Sequence, residues 1–279
     1  MYCRLRLPAV GRISKLSGMS LQDKLIHPAL LDPRQWAGVD LYNPTLSAER
    51  NELPGEPQHT PDRRFAAKHL KLDLTFDDEQ ESVSGSAYFT FIPLNDGLQH
   101  IELDAAEFDV RSVRLCGHER AENGAVVERF EVSRKLEFEL HREKLVIELP
   151  RGYSRFDQLS VEIVYSCHPR KGLYFVKPDD AYPDKPRQIW SQGQTEDAHW
   201  WFPCSDVPHQ KMTTELIATV KANYFALSNG SLVAVSENEI ARTKTYHWRQ
   251  EQPHPSYLVT VVIGEYELIE ARYKDLPLA

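Results

Sequence analysis

From residue 65 onward the chain alternates between apolar and polar positions. In KHLKLDLTFD, Leu70, Leu72, Leu74 and Phe76 are separated by Lys71, Asp73 and Thr75. A period of two places one side of a strand in a core and the other in water. The pattern recurs at Ala87, Phe89 and Phe91 before Pro93, where the turn-rich LNDG follows. Leu136, Phe138 and Leu140 predict another strand. Leu145, Ile147 and Leu149 predict one that stops at Pro150-Arg151-Gly152, and VEIVYS (161–166) and TTELIATVKA (213–222) add two more. YLVTVVIG (257–264) is apolar on both faces and so predicts a central strand. Asn229-Gly230, between two short apolar runs, predicts a hairpin turn, because both residues tolerate positive φ. No stretch of helical periodicity long enough for a stable helix follows position 65. The expected fold class is all-β: a large antiparallel β-sandwich or curved, saddle-like sheet, with an irregular N-terminal extension.

That extension, residues 1–64, contains Pro28, Pro33, Pro44, Pro54, Pro57 and Pro61, and NELPGEPQHTPDRR reads as an exposed linker. The net charge of -8 argues against a nucleic-acid partner, which would call for a basic face. No apolar run reaches the length of a membrane helix, so no membrane partner is expected. Cys3, Cys116, Cys167 and Cys204 are scattered without a CxxC pair. Free, mostly buried thiols in a reducing compartment are expected. The N-terminus carries Arg4, Arg6, Arg12 and Lys15 but no continuous apolar core for a secretory signal. Two readings of it stay open, a transit-like segment or Met19 as the true initiator, and the expected location is cytoplasmic.

Candidate chemistry is sparse. CGHERAENG (116–124) approaches the zinc motif HExxH, but Glu122 stands where the second His belongs. The pair needs a helix to bring both ligands to one face, and the Asn123-Gly124 dipeptide predicts a solvated turn instead. No nucleophile elbow or phosphate loop is present, and no catalytic or metal-ligating residue is assigned to this chain. The remaining unusual stretch is SQGQTEDAHWWFPCSDVPHQK, residues 191–211. Taken alone, Trp200, Trp201 and Phe202 read as core or rim aromatics, Pro203 as a strand end and Cys204 as a small buried hydrophobe. Composition also allows a sugar-binding sandwich in which Trp190, Trp200 and Trp201 stack on rings.

The same stretch resembles the signature loop of the aminopeptidase N family of zinc metallopeptidases, the gluzincin clan, near the end of their N-terminal domain. Ser191, Gln192, Gln194 and Ala198 match the start of the pattern, and Phe202, Pro203, Cys204, Asp206 and Pro208 match its end. GLYFVKPD (172–179), ALSNGSL (226–232) and PSYLVTVVIGEYE (255–267) are similar to three further segments of that family, in the right order. His199 stands in place of the usual Arg, and Val207 in place of the usual Glu.

The resemblance implies an N-terminal β domain over residues 65–267, with 268–279 opening a linker to a catalytic domain absent from this chain. In such enzymes Zn²⁺ is the cofactor, bound by the catalytic domain, so this chain alone is expected to be inactive. The family's loop implies Gln194 as a contact to the free α-ammonium of a peptide substrate, with Gln192 the secondary candidate. An amide oxygen accepts a hydrogen bond from an ammonium without adding full charge. Asp206 is expected to order its loop. The implied partners are the chain's own catalytic domain and a peptide with a free N-terminus. Two other classes stay open: a non-catalytic relative acting as a protein-interaction scaffold, and the sugar-binding sandwich.

Overall fold

The computed structural model describes residues 4–5, 62–122, 125–130, 133–269, 271–274 and 276–278. Most of the 1–64 segment therefore lies outside the described residues. Three sheets carry the domain, with strands numbered in chain order. The largest runs β15 (Ser231–Asn238), β16 (Thr243–Pro255), β13 (Lys211–Lys221), β2 (Phe65–Asp77), β3 (Ser82–Pro93), β10 (Asp157–Cys167), β5 (Asp109–Glu122) and β6 (Ala125–Phe130). β7 (Arg134–Leu136) adds to β5, and among the described residues this sheet has nine strands, of which only the β13–β2 pair is parallel. A three-stranded sheet runs β4 (Leu98–Asp104), β9 (Lys144–Tyr153), β8 (Phe138–His141). A four-stranded one runs β11 (Leu173–Val176), β12 (Gln188–Ser191), β17 (Val261–Gly264), β14 (Phe225–Ser228). Short ribbons join β1 (Arg4–Leu5) to β18 (Tyr266–Glu267), and β19 (Ala271–Tyr273) to β20 (Leu276–Leu278). Among the described residues, helix is confined to 3-10 turns such as Ala198–Trp200 and Ser256–Leu258.

The alternation read from the sequence is the alternation of burial. Leu70, Leu72, Leu74 and Phe76 of β2 are buried, as are Phe89 and Phe91 of β3 and every second residue of β10. These side chains join residues of both small sheets in one hydrophobic core. Polar tips seal the seams: the Trp248 indole donates to the Ala226 carbonyl at 2.9 Å, and the Tyr165 hydroxyl to that of Trp201 at 2.8 Å. Each such group is buried and would cost free energy if left unpaired.

Five expectations are corrected. Leu136, Phe138 and Leu140 do not share a strand: the chain changes sheets at Glu137, with β7 on β5 and β8 on β9. β9 runs through Pro150-Arg151-Gly152 to Tyr153, because Gly152 lies against Gly97 and lets the two backbones approach closely. Asn229-Gly230 is a turn but not a hairpin, since β14 pairs with β17 and β15 with β16. The Asn229 side chain donates to the Leu258 carbonyl and accepts from the Thr260 amide, tying the turn to the second sheet. YLVTVVIG contributes a central strand only over Val261–Gly264; Ser256–Leu258 is a 3-10 turn. CGHERA is not a solvated turn. It lies in β5, where His118 is buried and shares a 2.8 Å hydrogen bond with Asp157.

Candidate functional site

The 191–211 loop leaves β12 and is built on two glycines. Gly172 has φ +72°, and a Cβ there would stand 1.9 Å from the Asp197 carbonyl oxygen. Its own carbonyl accepts from the Gln192 amide at 2.8 Å. Gly193 is buried, and a Cβ on it would meet the Tyr257 backbone at 2.9 to 3.0 Å. The chain then turns, with the Asp197 amide donating to the Gly193 carbonyl at 2.9 Å, and enters the 3-10 turn Ala198–Trp200. The Gln194–Thr195 peptide is cis. Small residues are required wherever backbones come this close.

The pinned turn leaves Gln192 and Gln194 exposed on either side of buried Gly193. Neither side-chain amide bonds another described side chain. The two candidate residues thus stand two positions apart on one exposed turn. Among the described residues no three His, Cys, Asp or Glu side chains converge on a point that could hold a metal ion. The donor set does not fit zinc.

Beneath the rim the loop is fixed point by point. Cys204 pairs with Asp104 at the end of β4 through two backbone hydrogen bonds of 2.6 and 3.1 Å. Pro203 therefore ends no strand. The Ala106 amide donates to the His199 carbonyl at 3.0 Å. Asp206, buried, accepts from the His199 amide at 3.1 Å, from its ring Nδ1 at 2.9 Å and from the Ser256 hydroxyl at 2.5 Å. It is the loop-ordering acceptor that was expected. Its own amide donates to Asp104 Oδ2 at 2.8 Å, and Lys144 holds Asp104 Oδ1 at 2.5 Å. Burial, followed by the Asp206 and Asp104 carboxylates, pushes the Cys204 thiol well above its ordinary range. It is a packing group, not a nucleophile.

The aromatics are structural. Trp201 and Phe202 are fully buried and meet edge to face at 4.5 Å, and Trp200 is 7% exposed, so Trp200 and Trp201 present no face to a sugar. Trp190 is partly exposed but stacks on Tyr174 at 4.7 Å. Cys167 and Cys204 are buried as expected; Cys116 is exposed. Asp206 was expected from the sequence, but its links to Asp104, Lys144 and Ser256 and to the ring of His199 were missed by sequence reasoning. The only signal of these links was His199 at a position where the resembled pattern carries Arg.

Residues 66–258 match the family described as Peptidase M1 N-terminal domain. Leucine aminopeptidase 2 of Candida glabrata is 26% identical over 242 residues, covering 81% of this chain and 32% of that protein. Transcription initiation factor TFIID subunit 2 of Drosophila melanogaster is 24% identical over 247 residues, covering 78% of this chain and 20% of that protein. The chain thus spans a fifth to a third of these relatives. A crystal structure of an M1 zinc metallopeptidase from Deinococcus radiodurans, bound to a Tyr-Ser-Ala substrate, aligns with a TM-score of 0.60 at 21% identity. That alignment covers 75% of this chain and 44% of the other.

Proposed function

Because the chain belongs to the Peptidase M1 N-terminal domain family, we propose that it is the β domain of a zinc aminopeptidase and lends substrate contacts to a cleft it shares with a catalytic domain. The observation that carries this is the pair Gln192 and Gln194, exposed on a turn whose backbone is pinned at Gly172, Gly193 and Cys204. A turn held at several points and bearing exposed amides suits recognition of a substrate's ammonium, because acceptors held at fixed position leave only the first peptide bond within reach of the reacting group. The zinc would be held by the catalytic domain and would polarise the scissile carbonyl and activate water there. Tyr174, Trp190, Val262 and Leu227 are neighbours in register across the four-stranded sheet and incompletely buried. Trp190 in this apolar row lies two residues before Gln192, and the row is a surface that a catalytic domain would cover.

The test uses the chain joined to its catalytic domain. Gln194→Ala removes a hydrogen bond to a charged group, worth roughly 1.5–3 kcal/mol, so kcat/KM on peptides with a free amino terminus should fall by about 10- to 150-fold. Gln194→Glu should restore or exceed the original value by adding charge at the same place. Slow cleavage of an amino-terminally acetylated peptide should respond to neither. Equal losses on free and acetylated peptides would reduce Gln194 to a structural residue.

The similarity to TFIID subunit 2, named as a transcription factor subunit, favours a second reading: a scaffold without catalysis. The coding region beyond Ala279 separates the two, by presence or loss of HExxH with a later Glu.

A further inference from the structure

The charge cluster beneath the turn centres on one imidazole, that of His199. His199 is the middle residue of the 3-10 turn that closes the Gln194–Asp197 bend. Its Nδ1 lies 2.9 Å from Asp206 Oδ2 and its Nε2 lies 3.6 Å from Glu143 Oε2. The side chains of His199 and Asp206 are 12% and 3% exposed. We propose that His199 is a positioning residue: its imidazolium clamps the Gln194–Asp197 turn between Asp206 and Glu143, and the rim glutamines keep a single placement only while it is protonated. The consequence for substrate rests on the proposed role of Gln194; the clamp itself does not.

The charge balance around the ring supports this. Asp206 approaches from the segment after Cys204, Asp104 from the end of β4, and Glu143 from the turn before β9. Lys144, the nearby cation, is shared between Asp104 and Glu102. On the far side the ring leans on Trp200, over which Arg170 and Lys171 lie, with Arg170 paired to Glu107. Ser256 and Cys204 complete the surroundings of Asp206 and carry no charge. Three carboxylates, Asp206, Asp104 and Glu143, therefore act on the ring, while Lys144 is shared with Glu102, and Arg170 and Lys171 lie beyond Trp200. An imidazolium donates from both nitrogens, whereas either neutral tautomer donates from one. With the proton on Nδ1, Nε2 turns a lone pair toward Glu143. With the proton on Nε2, the ring's bond to Asp206 is lost and only the His199 backbone amide still donates to it.

Burial draws the His199 pKa down, but the hydrogen bond to Asp206 and the charges of Asp206, Asp104 and Glu143 outweigh it and raise it above 6.5. A histidine raised in the folded state contributes its full stabilisation below the unfolded value and loses it as pH climbs through the folded one. The clamp is therefore complete below pH 6.5 and opens on the alkaline side.

The test is amide hydrogen exchange and imidazole NMR on the 279-residue chain, from below pH 6.5 to well above it. His199 should titrate above 6.5. Exchange at residues 193–201 and at Ala106, corrected for its intrinsic pH dependence, should quicken along the same curve, by about tenfold per unit of upward shift. His199→Arg, charged throughout, should abolish that dependence while keeping protection high. His199→Gln should abolish it with protection low throughout. A ring that titrates at or below 6.5, or a dependence that survives either substitution, overturns the proposal. If the Gln variant fails to fold, titration and exchange in the unsubstituted chain decide alone. If Gln194→Ala leaves substrate handling unchanged, the amine-binding role falls while these exchange results stand.

Discussion

In β10 every second side chain from Asp157 to Cys167 is buried, and β3 and β5 pair along it on either side. Between Gln192 and Asp206 no period exists, and each fixed residue has a different partner: Gly172 for Gln192, Tyr257 for Gly193, Ala106 for His199, Asp104 for Cys204. The sheet is held by area, so its stability is spread over many interchangeable contacts. The loop is held by a few contacts that no neighbour can replace. A fold built from area tolerates variation, whereas a loop that must present two amides at one place depends on particular atoms.

The largest expected effect removes area. Phe89 is fully buried, with Phe65 and Phe91 rings at 5.8 Å. Phe89→Ala should cost about 3–5 kcal/mol, read as a drop in the urea midpoint for the whole domain. An effect confined to one strand would break the contrast between sheet and loop.

Next comes the hydrogen-bonded clip inside the sheet. His118 on β5 donates to Asp157 on β10, whose other oxygen accepts from the Ser154 amide and hydroxyl. Burial alone would raise the Asp157 pKa, but the bonds from His118 and Ser154 outweigh it and hold it below 3.8. A depressed carboxylate stabilises above its unfolded value and loses that contribution as pH falls through the folded one. The sheet should therefore weaken in acid below 3.8, whereas the His199 clamp weakens in alkali. His118→Ala removes a buried hydrogen bond to a carboxylate and should cost about 1.5–3 kcal/mol near neutrality and flatten the acid limb, as equilibrium unfolding against pH would show. An unchanged acid limb would place the sensitivity elsewhere.

The smallest effect is expected at the free edge. β15 is exposed along its whole length, with Val233 half out of the core. Val233→Thr should change stability by no more than about 0.5 kcal/mol in the same melts.

The difference between the two regions also explains what the sequence made legible. Period-two alternation at Leu70–Phe76 and Phe89–Phe91 follows from one buried face, so it is visible without coordinates. The split at Glu137 left no trace in that pattern, because Leu136 and Phe138 alternate correctly while belonging to different sheets. Similarly, β5 conceals a strand in HERA, since the partner that makes His118 buriable, Asp157, is distant in sequence. At the loop, the buried Trp201-Phe202 pair was legible from residue type, and Asp206 as the acceptor that orders its own turn. Asp104, Lys144 and Ser256 were not, because the contacts that join them to His199 and Asp206 are long-range and follow no period.

Gly172→Ala tests most directly whether the loop is held by points and the sheet by area. The substitution puts a methyl at φ +72° against the Asp197 carbonyl oxygen and touches no strand of the large sheet. Hydrogen exchange should show protection lost at residues 192–206 and retained in β2, β3, β10 and β13. Uniform loss across both regions, or an unaffected loop, would contradict it.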